Sequence, residues 1–197
     1  MRIIGLTGSI GMGKSTAAAM LKRMRLPVFD ADAAVHAFLA PGGAAAPAVA
    51  RAFPGVARKD GGIDRRALGA RVFGNQAELA RLEAILHPLV GVAERRFLAR
   101  ARAARRPVAV LDVPLLFETG GYRRCDLVLV VWAPPFLQRD RVLRRPGMNA
   151  QRLAFIRRQQ TSDTVKNRLA DVLVPSGLGR ALTWRRLRRA LARPRAA

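Results

Sequence analysis

The chain is poor in cysteine, histidine, acidic residues and long apolar runs, and each shortage removes a class of function. Cys125 is the single cysteine among 197 residues, so no internal disulfide can form, and with two histidines there is no Cys/His cluster of zinc-ligand spacing. Cys125 precedes Asp126 and the apolar run Leu127 to Trp132, where a small buried residue is expected rather than a nucleophile. His36 reads as a surface helix residue and His87 as a structural partner beside Pro88. No stretch approaches the ~18 consecutive apolar residues of a membrane span. A glycine-rich motif begins so close to Met1 that no room is expected for a secretory leader, and a cytoplasmic protein follows from both observations.

Acidic residues are scarce as well: 13 Asp and Glu against 36 Lys and Arg leave a formal net charge of +23. A field of this size attracts polyanions and says nothing about fold. Arg180, Arg185, Arg186, Arg188, Arg189, Arg193 and Arg195 crowd the C-terminal segment. Leu182, Leu187 and Leu191 lie among them, which predicts a helix with one packed stripe and an arginine-covered outside. The aromatic interleaving of single-strand binding is missing, so no obligatory nucleic-acid partner is expected.

What the chain does contain is a globular apolar fraction of 50% and one strongly patterned N-terminus. The apolar stretch Arg2 to Thr7 runs directly into Gly8-Ser9-Ile10-Gly11-Met12-Gly13-Lys14-Ser15-Thr16, which fits the P-loop pattern G-x-x-x-x-G-K-[ST]. Such a loop turns backbone N–H groups inward onto phosphate oxygens, which side chains on the glycines would obstruct. Gly11, Met12, Gly13, Lys14, Ser15 and Thr16 are the expected phosphate cradle. Lys14 supplies a point charge near the β- and γ-phosphates, the Ser15 hydroxyl is a ligand for magnesium, and the helix that starts there adds its N-terminal dipole.

Further along, strand and helix patterns alternate as in an α/β fold. Ile3 to Thr7 is read as a first strand, Thr16 to Met24 as a helix, and Pro27 to Phe29 as a short second strand ending in Asp30-Ala31-Asp32. The Pro/Gly/Ala stretch Ala40 to Ala48 reads as a turn or linker. Asp64 is an expected N-cap for Arg65 to Phe73, and Asn75 with Glu78 has capping-box spacing for a helix through Leu86, where His87-Pro88 interrupts or kinks the path. Val108 to Val113 and Leu127 to Trp132 are unbroken apolar runs, as in strands buried on both faces of a parallel sheet. The expected architecture is a P-loop NTPase-type parallel sheet flanked by helices, with residues 1–32 and 106–197 forming the core and residues 33–105 a mainly helical insert.

Ligands on such sheets bind beyond the C-terminal ends of the strands. After the second strand stand Asp30 and Asp32, on one side if the strand continues through them, either as a base for an attacking hydroxyl or as an N-cap for Ala33 to Leu39. After the third stands Asp112, either a magnesium-holding carboxylate or a buried strand end. After the fourth come Arg139, Arg141, Arg144 and Arg145 before Pro146-Gly147, in the manner of a lid, and spacing does not select among them.

Together these motifs resemble the dephospho-CoA kinase family almost end to end. The resemblance is carried by Thr7 to Thr16, Asp30-Ala31-Asp32, Leu86-His87-Pro88, Pro114-Leu115-Leu116-Phe117-Glu118, Gln138/Arg141/Arg145 before Pro146-Gly147-Met148, and Gln160, Lys166 and Ala170-Asp171. It implies transfer of the γ-phosphoryl of ATP, with Mg2+, to the ribose 3′-hydroxyl of dephospho-CoA. It also implies a helical region that receives the acceptor and a short lid near residues 138–150. Asp32 resembles the family's catalytic base, and Arg141 the lid arginine that reaches the transferring group, with Arg145 second. One departure stands out: Pro175 in Val174-Pro175-Ser176-Gly177 occupies a position where the family commonly has Asn or Asp. Proline offers neither an N–H nor a side-chain acceptor there, which bears on adenine binding. The competing readings are another small-metabolite kinase, such as a nucleoside or nucleotide kinase, and a basic nucleic-acid-binding ATPase.

Overall fold

Continuous apolar runs build the centre of the molecule, and the computed structural model describes residues 1–193 of the chain, so that Arg195 lies outside the described residues. Strands β1 (Arg2–Thr7), β2 (Val28–Asp30), β3 (Val108–Asp112), β4 (Leu127–Trp132) and β5 (Val172–Pro175) form one sheet in the order β2-β3-β1-β4-β5. β1 pairs in parallel with both β3 and β4, and β4 in parallel with β5. Alternate residues of each strand face opposite sides, so the inner strands β3, β1 and β4, covered on both faces, are apolar at nearly every position. Ile4, Leu6, Leu129, Val131, Val172 and Val174 pack on one side, against Ala17 and Leu21 of α1 (Lys14–Arg23) and Leu187 and Ala190 of α9 (Arg180–Leu191). Val128 and Val130 pack on the other side with Leu116 and Phe117. Leu6 and Leu129 are fully buried, and truncating such a side chain costs about 2–5 kcal/mol.

The central strand admits little bulk. A Cβ on Gly5 of β1 would lie 2.9 Å from the Cys125 sulfur, and Cys125 packs half-buried beside Leu116 and Phe117 in the small-residue role expected of it. α9 exposes Arg185, Arg186, Arg188 and Arg189 as expected, but of the expected leucine stripe only Leu187 is fully buried, and Thr183 and Ala190 complete the packed face.

The chain divides into two compact units, Met1–Phe29 with Ala101–Ala197, and Asp30–Arg100. The second is built from α2 (Ala31–Leu39), α3 (Ala46–Ala52), α4 (Arg65–Val72) and most of α5 (Gln76–Ala103) around Leu39, Val49, Phe53, Val56, Ile63, Leu68, Leu82 and Leu86. Its helix starts follow the capping residues: Asp64 accepts from the N–H groups of Arg66 at 2.8 Å and Ala67 at 3.1 Å, and Asn75 Oδ1 accepts from Glu78 N at 3.1 Å. The Ala40 to Ala48 stretch is shorter as a linker than expected, because Pro47 sits in the first turn of α3, where its missing N–H costs nothing.

The expected interruption at His87-Pro88 does not occur, since α5 runs unbroken through Pro88 for 28 residues. His87 and Pro88 are exposed, and so is Ala84, whose carbonyl Pro88 cannot bond. Leu82, Leu86 and Leu89, at helical spacing, hold the opposite face in the core. His87 is thus a surface residue, as is His36 in the last turn of α2.

Candidate active site

The loop between β1 and α1 owes its path to two glycines. Gly11 and Gly13 have φ of 77° and 88°, which L side chains rarely adopt. A Cβ on Gly11 would meet Val142 at 2.5 Å and the Gln138 carbonyl at 3.0 Å, and one on Gly13 would meet the Ser176 hydroxyl at 2.9 Å. Gly13 serves as N-cap of α1, its carbonyl accepting from Thr16 and Ala17, so the helix dipole begins at the loop. Lys14 reaches across the sheet ends to Asp112, with Nζ 2.7 Å from Oδ1. Asp112 ends β3 opposite Leu6 of β1, and its side chain is 3% exposed, so an unpaired carboxylate there would be costly and Lys14 supplies the balancing charge. Ser15, next in the helix, is exposed.

The rest of the loop is held from outside by side chains distant in sequence. Gln138 of α6 (Pro135–Leu143) donates to the Ile10 carbonyl at 2.9 Å, and Gln160 accepts from Ile10 N–H at 3.1 Å. Ser9 donates to Asp163 at 2.6 Å at the start of α8 (Asp163–Leu169). Lys166 of α8 is fully buried, its Nζ 3.2 Å from Glu118 Oε1 and 3.4 Å from the Ser9 hydroxyl, and Glu118 also accepts from Thr161 N–H at 2.6 Å. The Met12 sulfur accepts from Ala133 N–H at 3.2 Å.

Of the four arginines in the region of α6, Arg141 hydrogen-bonds at the loop. It donates to the Ser176 hydroxyl at 3.0 Å and the Ser176 carbonyl at 2.9 Å, with the Gly11 carbonyl at 3.5 Å. Arg139, Arg144 and Arg145 are exposed, and Arg144 pairs along the helix with Asp140 at 2.9 Å. α6 ends before Pro146-Gly147, and α7 (Ala150–Gln159) restarts with Asn149 as its cap.

The second strand does not continue through both aspartates, which corrects the shared-face expectation. β2 stops at Asp30, whose side chain accepts from Ala33 N–H at 3.0 Å and caps α2. Asp32 is exposed in the first turn of that helix, where the dipole favours a carboxylate.

Thus Gln138, Arg141, Gln160, Lys166 and Glu118, separate motifs in the sequence, all bond the P-loop or one of its supports. Ser9, Asp163 and Ser176 join them, although no role was expected of any of the three side chains. The available signal for Ser176 was its place just past the end of β5, where ligands of such sheets gather.

Known proteins resemble this chain along almost its whole length. The family model described as dephospho-CoA kinase matches residues 2–178. A dephospho-CoA kinase of Rhodospirillum rubrum is 61% identical over 186 residues, covering 94% of this chain and 88% of that protein. One from Paramagnetospirillum magneticum is 65% identical over 166 residues, covering 84% and 78%. Among solved structures, TT1252 from Thermus thermophilus superposes with a TM-score of 0.79 at 34% identity, covering 96% of this chain and 95% of that one. Dephospho-CoA kinase from Campylobacter jejuni shares the fold with a TM-score of 0.70 at 22% identity, over 97% and 96% of the two chains.

Proposed function

The chain belongs to the dephospho-CoA kinase family, and from that premise we propose how its own residues transfer the γ-phosphoryl group of ATP to the ribose 3′-hydroxyl of dephospho-CoA. The reaction is the last step of coenzyme A biosynthesis. The observation that carries this reading is the family match over residues 2–178, a span that includes the P-loop and the side chains described above that hold it.

Gly11 to Thr16 cradle the phosphates of ATP through loop N–H groups such as those of Gly11 and Gly13 and through the N-terminus of α1. Lys14 already stands at the loop, and an incoming triphosphate competes with Asp112 for its ammonium group. Ser15 and Asp112 are hard oxygen donors of the kind magnesium takes, the first exposed at the helix start and the second at a strand end. Magnesium, when bound, neutralises charge on the phosphate oxygens, and few protein ligands are needed because phosphates and water complete its shell. Arg141 supplies a further positive charge toward the transferring group, with residues near 138–150 acting as a short lid.

Asp32 is the base that orients the acceptor hydroxyl and takes its proton. The helical insert, residues 33–105, receives dephospho-CoA. A loose transition state leaves little covalent work for the protein, so positioning and charge neutralisation supply most of the rate. No helix among the described residues is long and apolar enough to cross a membrane, and we assign the enzyme to the cytoplasm with its small-molecule substrates. The family match does not favour the nucleotide-kinase or nucleic-acid ATPase readings.

Steady-state kinetics of Asp32→Asn test the assignment of the base. The variant is expected to lose about 10²-fold or more in kcat, with KM for ATP nearly unchanged. An unchanged kcat would remove Asp32 from the mechanism.

A further inference from the structure

Ser176 is locked in place before its side chain does anything. Pro175 before it fixes φ, its own N–H donates to the Trp132 carbonyl at 2.8 Å, and the Pro175 carbonyl accepts from the Thr183 hydroxyl of α9 at 2.8 Å. The end of β4, the end of β5 and α9 thus hold one hydroxyl against the P-loop. That hydroxyl has one proton and gives it to the Met12 carbonyl at 2.6 Å, so toward Arg141, at 3.0 Å, it can act only as acceptor. The contacts form a directed relay from the Arg141 guanidinium through Ser176 to the loop backbone, each bond polarising the next.

The consequence lies in the loop's peptide planes. In a trans peptide the C=O of one residue and the N–H of the next point opposite ways, and the chain has no cis peptides among its described residues. Drawing the Met12 carbonyl outward to Ser176 turns the Gly13 N–H inward, just as the Gln138 bond to the Ile10 carbonyl turns the Gly11 N–H inward. We propose that Ser176 is a positioning residue for phosphoryl transfer: it presets the Gly13 N–H toward the ATP phosphates and holds Arg141 beside the same loop. The proposal rests on the reading of Gly11 to Thr16 as the ATP phosphate cradle.

The test compares wild type, Ser176→Ala and Ser176→Thr in ADP binding by calorimetry, in kcat and KM for each substrate, and in thermal midpoint. Loss of one hydrogen bond to a phosphate-binding backbone predicts roughly tenfold weaker ADP binding and a similar rise in KM for ATP for Ser176→Ala. KM for dephospho-CoA and the thermal midpoint should stay near wild type, and Ser176→Thr, which keeps the hydroxyl, should restore most of the ADP affinity. Wild-type ADP affinity and kinetics in Ser176→Ala would overturn the proposal. So would a fall in thermal midpoint that lowers every parameter together and is not relieved by threonine. Wild-type protein that binds neither ADP nor ATP would overturn the P-loop reading itself, a failure distinct from that of Ser176.

Discussion

Buried charge at the P-loop is where single residues matter most. Lys166 has no exposed surface and neutralises Glu118 while its ammonium touches Ser9. Removing one partner of such a pair leaves a carboxylate in a poor solvent, so Lys166→Ala should lower unfolding free energy by about 3 kcal/mol in urea titration. In a double-mutant cycle with Glu118→Ala, the second change should cost less than it does alone. Additive losses would mean that the two side chains do not interact. Lys166 and Glu118 were legible only through family resemblance, because a buried ion pair between residues far apart in the chain leaves no periodic trace. Ser176 was legible only by its place just past the end of β5, since its bond to the Met12 carbonyl depends on a peptide orientation that the letters Gly-Met-Gly do not encode. The P-loop itself was legible because its glycines and lysine are fixed by local chemistry.

Helix starts were legible and helix ends less so, for a reason visible in the backbone. Starts are marked by side chains such as Asp64 and Asn75. α1 and α5 instead close with arginine where glycine is usual. Leu26 N–H bonds to Leu21 and Arg25 N–H to Lys22, while Arg106 N–H bonds to Ala101 and Arg105 N–H to Arg102. This is the Schellman pattern, with Arg25 at φ 58° and Arg105 at φ 50° in the left-handed region. Arg25→Gly and Arg105→Gly should each raise stability by roughly 0.5–1 kcal/mol in chemical denaturation, because glycine adopts that φ without the Cβ clash. The second illegible feature is Pro88, which reads as a break or a kink yet lies in a continuous helix whose packed face outweighs one missing bond. Pro88→Ala should therefore stabilise the chain by up to ~3 kcal/mol, measured the same way. A destabilised variant would show that the proline shapes α5.

At the scale of the whole molecule, the parallel sheet was legible because its inner strands are apolar runs that need cover on both faces, and the basic surface contributes nothing to that choice. The net charge of +23 pointed to polyanions without naming one, and acceptor identity came from motifs instead. Acid stability has a clearer local source. Hydrogen bonds from Arg58 and Gly62 hold the Asp60 carboxyl below its usual value, and the N–H groups of Ala67 and Arg66 do the same for Asp64. A lowered folded pKa gives stability that is present above the unfolded value and lost as pH falls through the folded one. The thermal midpoint of wild type should accordingly exceed that of Asp64→Ala near neutrality, with the gap closing below about pH 4.

The assigned activity stands or falls with the acceptor. ADP release with ATP and magnesium should be followed with dephospho-CoA, adenosine, AMP or a short nucleic acid added, and the product identified by mass. Turnover with dephospho-CoA alone, yielding coenzyme A, is the predicted result. Silence with dephospho-CoA and stimulation by another acceptor would contradict it, leaving a P-loop kinase whose substrate the motifs misnamed.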